Sequence, residues 1–327
     1  KEIFKQVSEM LKHGVIRPSN AAEFSQVLLT EKPGGEWRFC IDYRRLNDAT
    51  SQIGWPLPNI KAMLQRLGTK QAKFFGKMDF TKGYYQAALA ESSRKFTAFI
   101  TYCGIYEWLR VPMGLKGAPS YFQSMIATVV LSGLLYICCE LYIDDVIVFG
   151  RDETEFLNHL EQVLQRLQER NVSLNPKKCY LGGKEIEFVG HVIDSEGLRM
   201  SDSKRLKVIE FKKPVVAKGL KSFLGLANYF RDHIRNHSLI VRPLQDMIRN
   251  YKKGHRLQWS EETNKAFETI KDAINSCPKI FFMQDDAPIF LHTDASKYAI
   301  GAYLFQLINN KEIPIAFLSK TLNDSQL

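Results

Sequence analysis

Leu141-Tyr142-Ile143-Asp144-Asp145-Val146-Ile147-Val148-Phe149 is the stretch on which the reading of this chain turns. Two adjacent carboxylates sit between the apolar runs Tyr136 to Tyr142 and Val146 to Phe149, a pattern that predicts a hairpin with both acids at its tip. Neighbouring carboxylates in such surroundings repel each other and are poorly hydrated, so the arrangement is costly unless a cation lies between them. Magnesium suits the position, because it takes hard oxygen ligands, often only one or two carboxylates, and leaves room for phosphates. A pair of ions about 4 Å apart, serving the attacking and leaving oxygens of an in-line displacement, needs a third carboxylate from another element. Asp79, ending the extended run Phe74 to Phe80, is the candidate, which makes Asp79, Asp144 and Asp145 the expected metal-holding and catalytic set.

Outward from this hairpin the pattern alternates between helices and strands. A helix is expected over 1–13, where Ile3, Phe4, Val7, Met10 and Leu11 share one face and Gly14 follows the end. Val27-Leu28-Leu29 and Trp37 to Ile41, separated by Pro33-Gly34-Gly35, form a hairpin. A helix is expected near Gly83 to Leu89 and another over Ser120 to Val130. Asp152 with Glu155 three residues on opens a helix through Leu167. Strands at Glu187 to Ile193 and Leu198 to Met200 flank a turn at Ser195-Glu196-Gly197, and from Ser201 to about Met247 the pattern is helical and basic. Trp259-Ser260 precedes a helix over Glu261 to Ile274, and strands at Ile289 to His292, Ala299 to Leu307 and Ile313 to Leu318 begin a separate small α/β unit.

The chain has 327 residues, 45% of them hydrophobic, enough for two or three domains with real cores. Its longest apolar stretch, Ile126 to Cys139, is interrupted by Thr128, Ser132 and Gly133 and falls short of the roughly 20 residues a membrane span needs, so no membrane partner is expected. Because Lys1 is not an initiator Met, the chain is expected to start inside a larger polypeptide. Six cysteines show no C-x-x-C pair and no zinc-spaced His, which reads as buried free thiols. The net charge of +10 is concentrated: Arg199 to Arg256 carries fifteen basic residues against four acidic ones, a surface suited to a polyanion.

Three blocks in order, Lys77-Met78-Asp79-Phe80-Thr81-Lys82-Gly83-Tyr84-Tyr85-Gln86, Pro112-Met113-Gly114-Leu115-Lys116-Gly117-Ala118-Pro119 and Leu141 to Asp145, resemble the motifs of reverse transcriptases, most closely those of gypsy-type LTR retrotransposons and their retroviral relatives. Trp37 to Asn47, Asn175-Pro176-Lys177-Lys178-Cys179 and Phe188-Val189-Gly190-His191 extend the likeness over the whole chain. The resemblance implies an α+β, right-hand polymerase of fingers, palm and thumb with an antiparallel palm sheet, followed by a partial ribonuclease-H-like α/β domain. The implied boundaries are fingers and palm over 1–200, thumb over 201–256, a connecting segment over 257–286 and the ribonuclease-H-like part over 287–327.

It also implies roles. Arg38, with Lys32 on the same hairpin, would clamp the triphosphate, a task suited to a planar guanidinium. Phe80 and Tyr84 would line the nucleotide site, the Tyr84 ring blocking a 2′-hydroxyl. Met113 stands where retroviral relatives carry Gln, so a hydrogen bond near the sugar is absent or replaced. Lys116-Gly117 also departs from the Asn often found there. Gln123 and Lys178 are site neighbours without an assigned role. Gly190 and His191 fall in a primer grip, and Asp294, in Phe290 to Ser296, would be the first carboxylate of a ribonuclease H metal site that lacks its further acids here, so no nuclease activity is expected from this chain alone. The implied activity is RNA- and DNA-directed DNA polymerisation with two Mg²⁺ ions, Mn²⁺ being the alternative. Its partners would be an RNA template, a DNA primer, RNA/DNA hybrid and deoxynucleoside triphosphates, in cytoplasmic virus-like particles, with a homodimer left open. The alternative is a non-catalytic subunit or domesticated nucleic-acid-binding module.

Overall fold

The computed structural model describes residues 1–31, 34–51, 54–251, 255–297 and 299–322. They form two compact units, Lys1–Met63 with Phe75–Gly183, and Leu64–Phe74 with Lys184–Leu327.

In the first unit the amphipathic helix Glu2–Lys12 closes on Gly14, whose φ of +60° suits a residue without a Cβ. The helix contributes Val7 to a core with Ile16, Tyr43, Phe99, Tyr106 and Trp108. That core lies against a five-stranded sheet ordered Ile16–Pro18, Gly104–Trp108, Phe99–Thr101, Ser25–Glu31, Trp37–Ile41, mixed because Ser25–Glu31 pairs parallel to Phe99–Thr101. The expected hairpin is present, with Val27 opposite Ile41; Lys32 and Pro33 lie outside the described residues. The strand pair Phe99–Thr101 and Gly104–Trp108 was not expected from sequence, its two-residue connection Tyr102-Cys103 carrying no strong turn signal.

A second sheet of this unit runs Cys139–Tyr142, Asp145–Gly150, Phe74–Asp79, Tyr180–Gly183. The hairpin pair and the pair of Phe74–Asp79 with Tyr180–Gly183 are antiparallel. Met78, Leu141, Val146, Ile147 and Val148 are buried, as expected of strands packed on both faces. Helix Glu153–Glu169 starts where Asp152 accepts the backbone N–H of Glu155 at 2.9 Å, and it lies so near Asp145–Gly150 that a Cβ on Gly150 would stand 2.6 Å from the Cα of Phe156. The hairpin's first strand begins at Cys139, not Tyr136, because Tyr136 takes a positive φ of +68° and the Cys138 N–H turns back to the Leu134 carbonyl. The helix expected near Gly83 to Leu89 is a single 3₁₀ turn, Gly83–Gln86, since Ala87 turns extended and its carbonyl accepts from Val111.

The second unit opens with an antiparallel four-stranded sheet, Glu185–Phe188, His191–Asp194, Gly197–Met200 and Ile280–Phe281. The single strand expected over Glu187 to Ile193 is therefore two, joined at Val189 (φ +47°) and Gly190 (φ +79°), with Phe188 opposite His191. Two successive positive φ values make this a type I′ hairpin turn, and the β-branched Val189 at its first position disguises it in the sequence. Helices Asp202–Ile209, Ala217–Tyr229, His237–Arg249 and Glu261–Asn275 enclose a core of Leu220, Phe223, Phe230, Leu244, Phe267 and Ile270. A three-stranded antiparallel sheet, Ile289–Ala295, Ala299–Ile308 and Lys311–Thr321, follows. No helix among the described residues is long and apolar enough to cross a membrane.

Candidate active site

The hairpin tip consists of Ile143 and Asp144, with Tyr142 opposite Asp145. Ile143 stands at φ +59°, whereas Asp144 is outside the positive-φ region, which is the pattern of a type II′ turn. That turn favours Gly at its first position, and a β-branched side chain there is strained by about 1–3 kcal/mol. Strain of this kind persists only where surrounding structure holds it, and here helix Ala118–Met125 does so. Its Gln123 is 3% exposed; Oε1 accepts the Ile143 N–H at 2.5 Å, and Nε2 donates to the Leu141 carbonyl at 3.5 Å.

Asp144 is exposed at the tip, yet enough protein crowds its carboxyl to desolvate it in part. That burial, then repulsion from Asp145 and Asp79, raises its pKa above the ordinary carboxylate value, with Lys178 opposing. Asp79, ending the neighbouring strand, is thus within electrostatic reach of the tip although 65 residues earlier in the chain. Each flanking acid has a lysine. Lys77 Nζ lies 3.1 Å from Asp145, and Lys178 Nζ lies 3.4 Å from both oxygens of Asp79. Among the described residues, no three His, Cys, Asp or Glu side chains are drawn together at ligating distance. The donor set nonetheless suits a divalent cation: three hard carboxylates that repel one another, one of them held toward its protonated form, with the two flanking charges offset by lysine ammoniums.

Tyr84, in the turn Gly83–Gln86, is half-buried, and burial together with the charge of Asp144 raises its phenol above the usual 10. Its ring stands edge-on to Phe122, centroids 5.3 Å apart, and Phe80 meets the same ring at 5.6 Å. Phe80 is 4% exposed and therefore core. The structure brings Asp79, Asp144, Asp145 and Tyr84 together, while Arg38 is exposed on the fifth strand of the other sheet and Met113 is exposed in a loop. Lys32 is outside the described residues. The Met113 loop is held by Asn47, to which no role fell in the sequence: Nδ2 donates to the Gly114 carbonyl at 2.9 Å, and Oδ1 accepts the Lys116 N–H at 2.7 Å.

In the second unit, Gly190 forms the hairpin turn and His191 is buried beneath it, against Tyr229, Phe230 and His233 with ring centroids 5.2–5.5 Å away. Tyr229 donates its hydroxyl to the Val189 carbonyl at 2.6 Å. Asp294 is exposed on Ile289–Ala295 opposite Gly301, and no acidic partners gather round it among the described residues.

Carboxylates brought to the end of a small sheet, beside an aromatic turn, define the palm of a right-hand polymerase. A family model described as "Reverse transcriptase (RNA-dependent DNA polymerase)" matches residues 30–193, and one described as "RNase H-like domain found in reverse transcriptase" matches residues 259–327. The chain belongs to the reverse transcriptase family. Similar curated proteins include the "Retrovirus-related Pol polyprotein from transposon opus" of Drosophila melanogaster, 34% identical over 99% of this chain and 33% of its own length, and that from transposon 297 of the same organism, 35% identical over 100% of this chain and 30% of its own length. The chain thus spans about a third of the length of these relatives. Among solved structures, the foamy viral protease-reverse transcriptase in complex with double-stranded DNA matches with a TM-score of 0.87 at 25% identity, over 99% of this chain and 56% of that one. The α+β polymerase fold with a following ribonuclease-H-like part, expected from the sequence, is the fold of this chain.

Proposed function

We propose that this chain extends a DNA primer on an RNA or DNA template, as the polymerase part of a retrotransposon reverse transcriptase acting in cytoplasmic virus-like particles. The observation that carries the proposal is the electrostatic convergence of Asp79 and Asp145 on Asp144 at the strained hairpin tip. Asp79, Asp144 and Asp145 would hold the two Mg²⁺ ions, or Mn²⁺ in their place. When bound, such ions lower the pKa of a primer hydroxyl and neutralise charge on a departing pyrophosphate.

The remaining work falls to the chain's own groups. Lys77 and Lys178 offset the flanking carboxylates so that the site folds before it is loaded. The half-buried Tyr84 ring, backed by Phe122, offers a wall against which a deoxyribose packs and a 2′-hydroxyl would collide. Arg38, exposed on its strand, is available for a triphosphate, and Lys32 would assist it. The turn at Gly190 over His191 would grip the primer, and the basic helices after Met200 would follow a duplex backbone without reading sequence. Asp294 alone supplies no ribonuclease H site.

Primer extension on poly-rA/oligo-dT with Mg²⁺ tests the reading. Asp144→Asn is expected to abolish extension while template–primer binding survives. A wild-type chain that binds the hybrid and extends nothing would instead fit a non-catalytic subunit or nucleic-acid-binding module.

A further inference from the structure

Ile143 is held in a conformation its own side chain disfavours, and its amide N–H is among the backbone groups that a two-residue turn leaves out of the strand ladder. A buried N–H without a partner is costly, so something must accept it. The acceptor is Gln123, itself almost wholly buried, whose amide reaches one backbone group on either side of Tyr142: the Leu141 carbonyl and the Ile143 N–H. Both Gln123 partners are backbone atoms, so this contact selects a backbone conformation and not a side-chain packing.

We infer that Gln123 is a positioning residue: it selects the strained turn and thereby aims the Asp144 carboxylate. The inference rests on the polymerase reading only for its activity arm. A glycine takes φ near +60° without strain, so replacing Ile143 removes the need for the clamp. Dependence on Gln123 must therefore be coupled to Ile143.

Gln123→Met keeps the length and apolar fit but has no acceptor. It is expected to lower kcat for single-nucleotide addition about 10-fold, as loss of one buried hydrogen bond would, with template–primer affinity unchanged. In an Ile143→Gly background the same substitution is expected to cost less than about 3-fold. Hydrogen exchange of the metal-free protein supplies an independent reading. Gln123→Met should speed amide exchange in the segment 139–150 and leave the rest of the chain as it was, while Gln123→Glu, which retains an acceptor at the same reach, should restore the protection. Equal losses of activity in both backgrounds, or unchanged exchange at the hairpin, would overturn the assignment. If Ile143→Gly is itself inactive, or the wild type extends no primer, the exchange experiment decides alone, so failure of the polymerase reading is told apart from failure of this one.

Discussion

Asp144→Asn should make the metal-free protein more stable while removing its activity. The Asp144 carboxyl is raised above its usual 3.8, first by desolvation and then by Asp145 and Asp79. A carboxyl of this kind binds its proton more tightly folded than unfolded. Its contribution is therefore most favourable in acid, is lost as pH rises from about 3.8 through the raised folded value, and remains a fixed penalty at neutral pH. Asparagine keeps the shape and carries no charge. Because Asp144 is exposed at the tip, solvent screens the repulsion, and the penalty is of the order of 1 kcal/mol, the scale of interactions between exposed charges. For a folding unit of this size that corresponds to about 2–4 °C in Tm. Scanning calorimetry in chelator at pH 7 and again near pH 3.5 reads the difference: the variant should melt higher at neutral pH, with the gap closing in acid. Addition of Mg²⁺ should then raise the wild-type Tm more than that of the variant, since a cation relieves what the substitution had already removed. A variant equally or less stable than the wild type at pH 7 would refute the electrostatic account of the site.

Gly197→Ala would drive its Cβ into the Ile280 carbonyl oxygen and to 2.7 Å from the Phe281 Cα, breaking the pairing of Gly197–Met200 with Ile280–Phe281; denaturant melts should register a loss of about 1–3 kcal/mol. Burial, then the charge of His233, brings His191 from 6.5 down to about 4, so His191 is neutral in the fold and protonated when unfolded across that window. Its share of the stability is full above pH 6.5 and is lost toward pH 4, by up to about 3 kcal/mol, and His191→Phe should make the profile shallower between those values, with His237, also brought down to about 4 by burial, keeping its own share. Tyr84→Ala removes the ring beside Asp144, and the preference for deoxynucleotides over ribonucleotides, measured as a ratio of kcat/KM values, should fall by about 10-fold or more.

What the sequence disclosed follows from which forces are local. An apolar run broken by two acids can be read as a hairpin because burial and charge are properties of the residues themselves, and the two strands meet at Tyr142 and Asp145 as the pattern predicts, although the first begins at Cys139, three residues later than expected. The Asp152 cap is legible for the same reason, since donor and acceptor lie three residues apart. The turn at Val189-Gly190 was hidden because tertiary context, with Tyr229 donating to the Val189 carbonyl, holds a β-branched residue where Asn would be expected. Lys77 illustrates a further limit. It sits two residues before Asp79 and so shares that acid's face of the strand, but its ammonium goes to Asp145 on the adjacent strand, a partner that exists only once the strands have paired. Gln123, legible only as a site neighbour, and Asn47 showed no role in the sequence for a related reason. An amide side chain has no periodicity, and its role exists only once the backbone groups it bridges have been brought to it.

Helix Ala118–Met125 shows how these local and distant forces meet. Adjacent residues on it point about 100° apart, so Phe122 and Gln123 serve different neighbours. Phe122 braces Phe80 and Tyr84, and its ring would lie 3.1 Å from a Cβ added at Gly83, so a larger residue there would require the Phe122 ring to give by a few tenths of an ångström. Gln123 holds the backbone on either side of Tyr142. One rigid helix thus sets both the wall beside the site and the aim of its central carboxylate. Displacing the helix would disturb sugar discrimination and turnover together, whereas Tyr84→Ala should disturb mainly the first and Gln123→Met mainly the second. A Gln123→Met variant that relaxed ribonucleotide exclusion as much as Tyr84→Ala would mean that the helix had moved as a body, and that the clamp on Ile143 was not the cause of the loss.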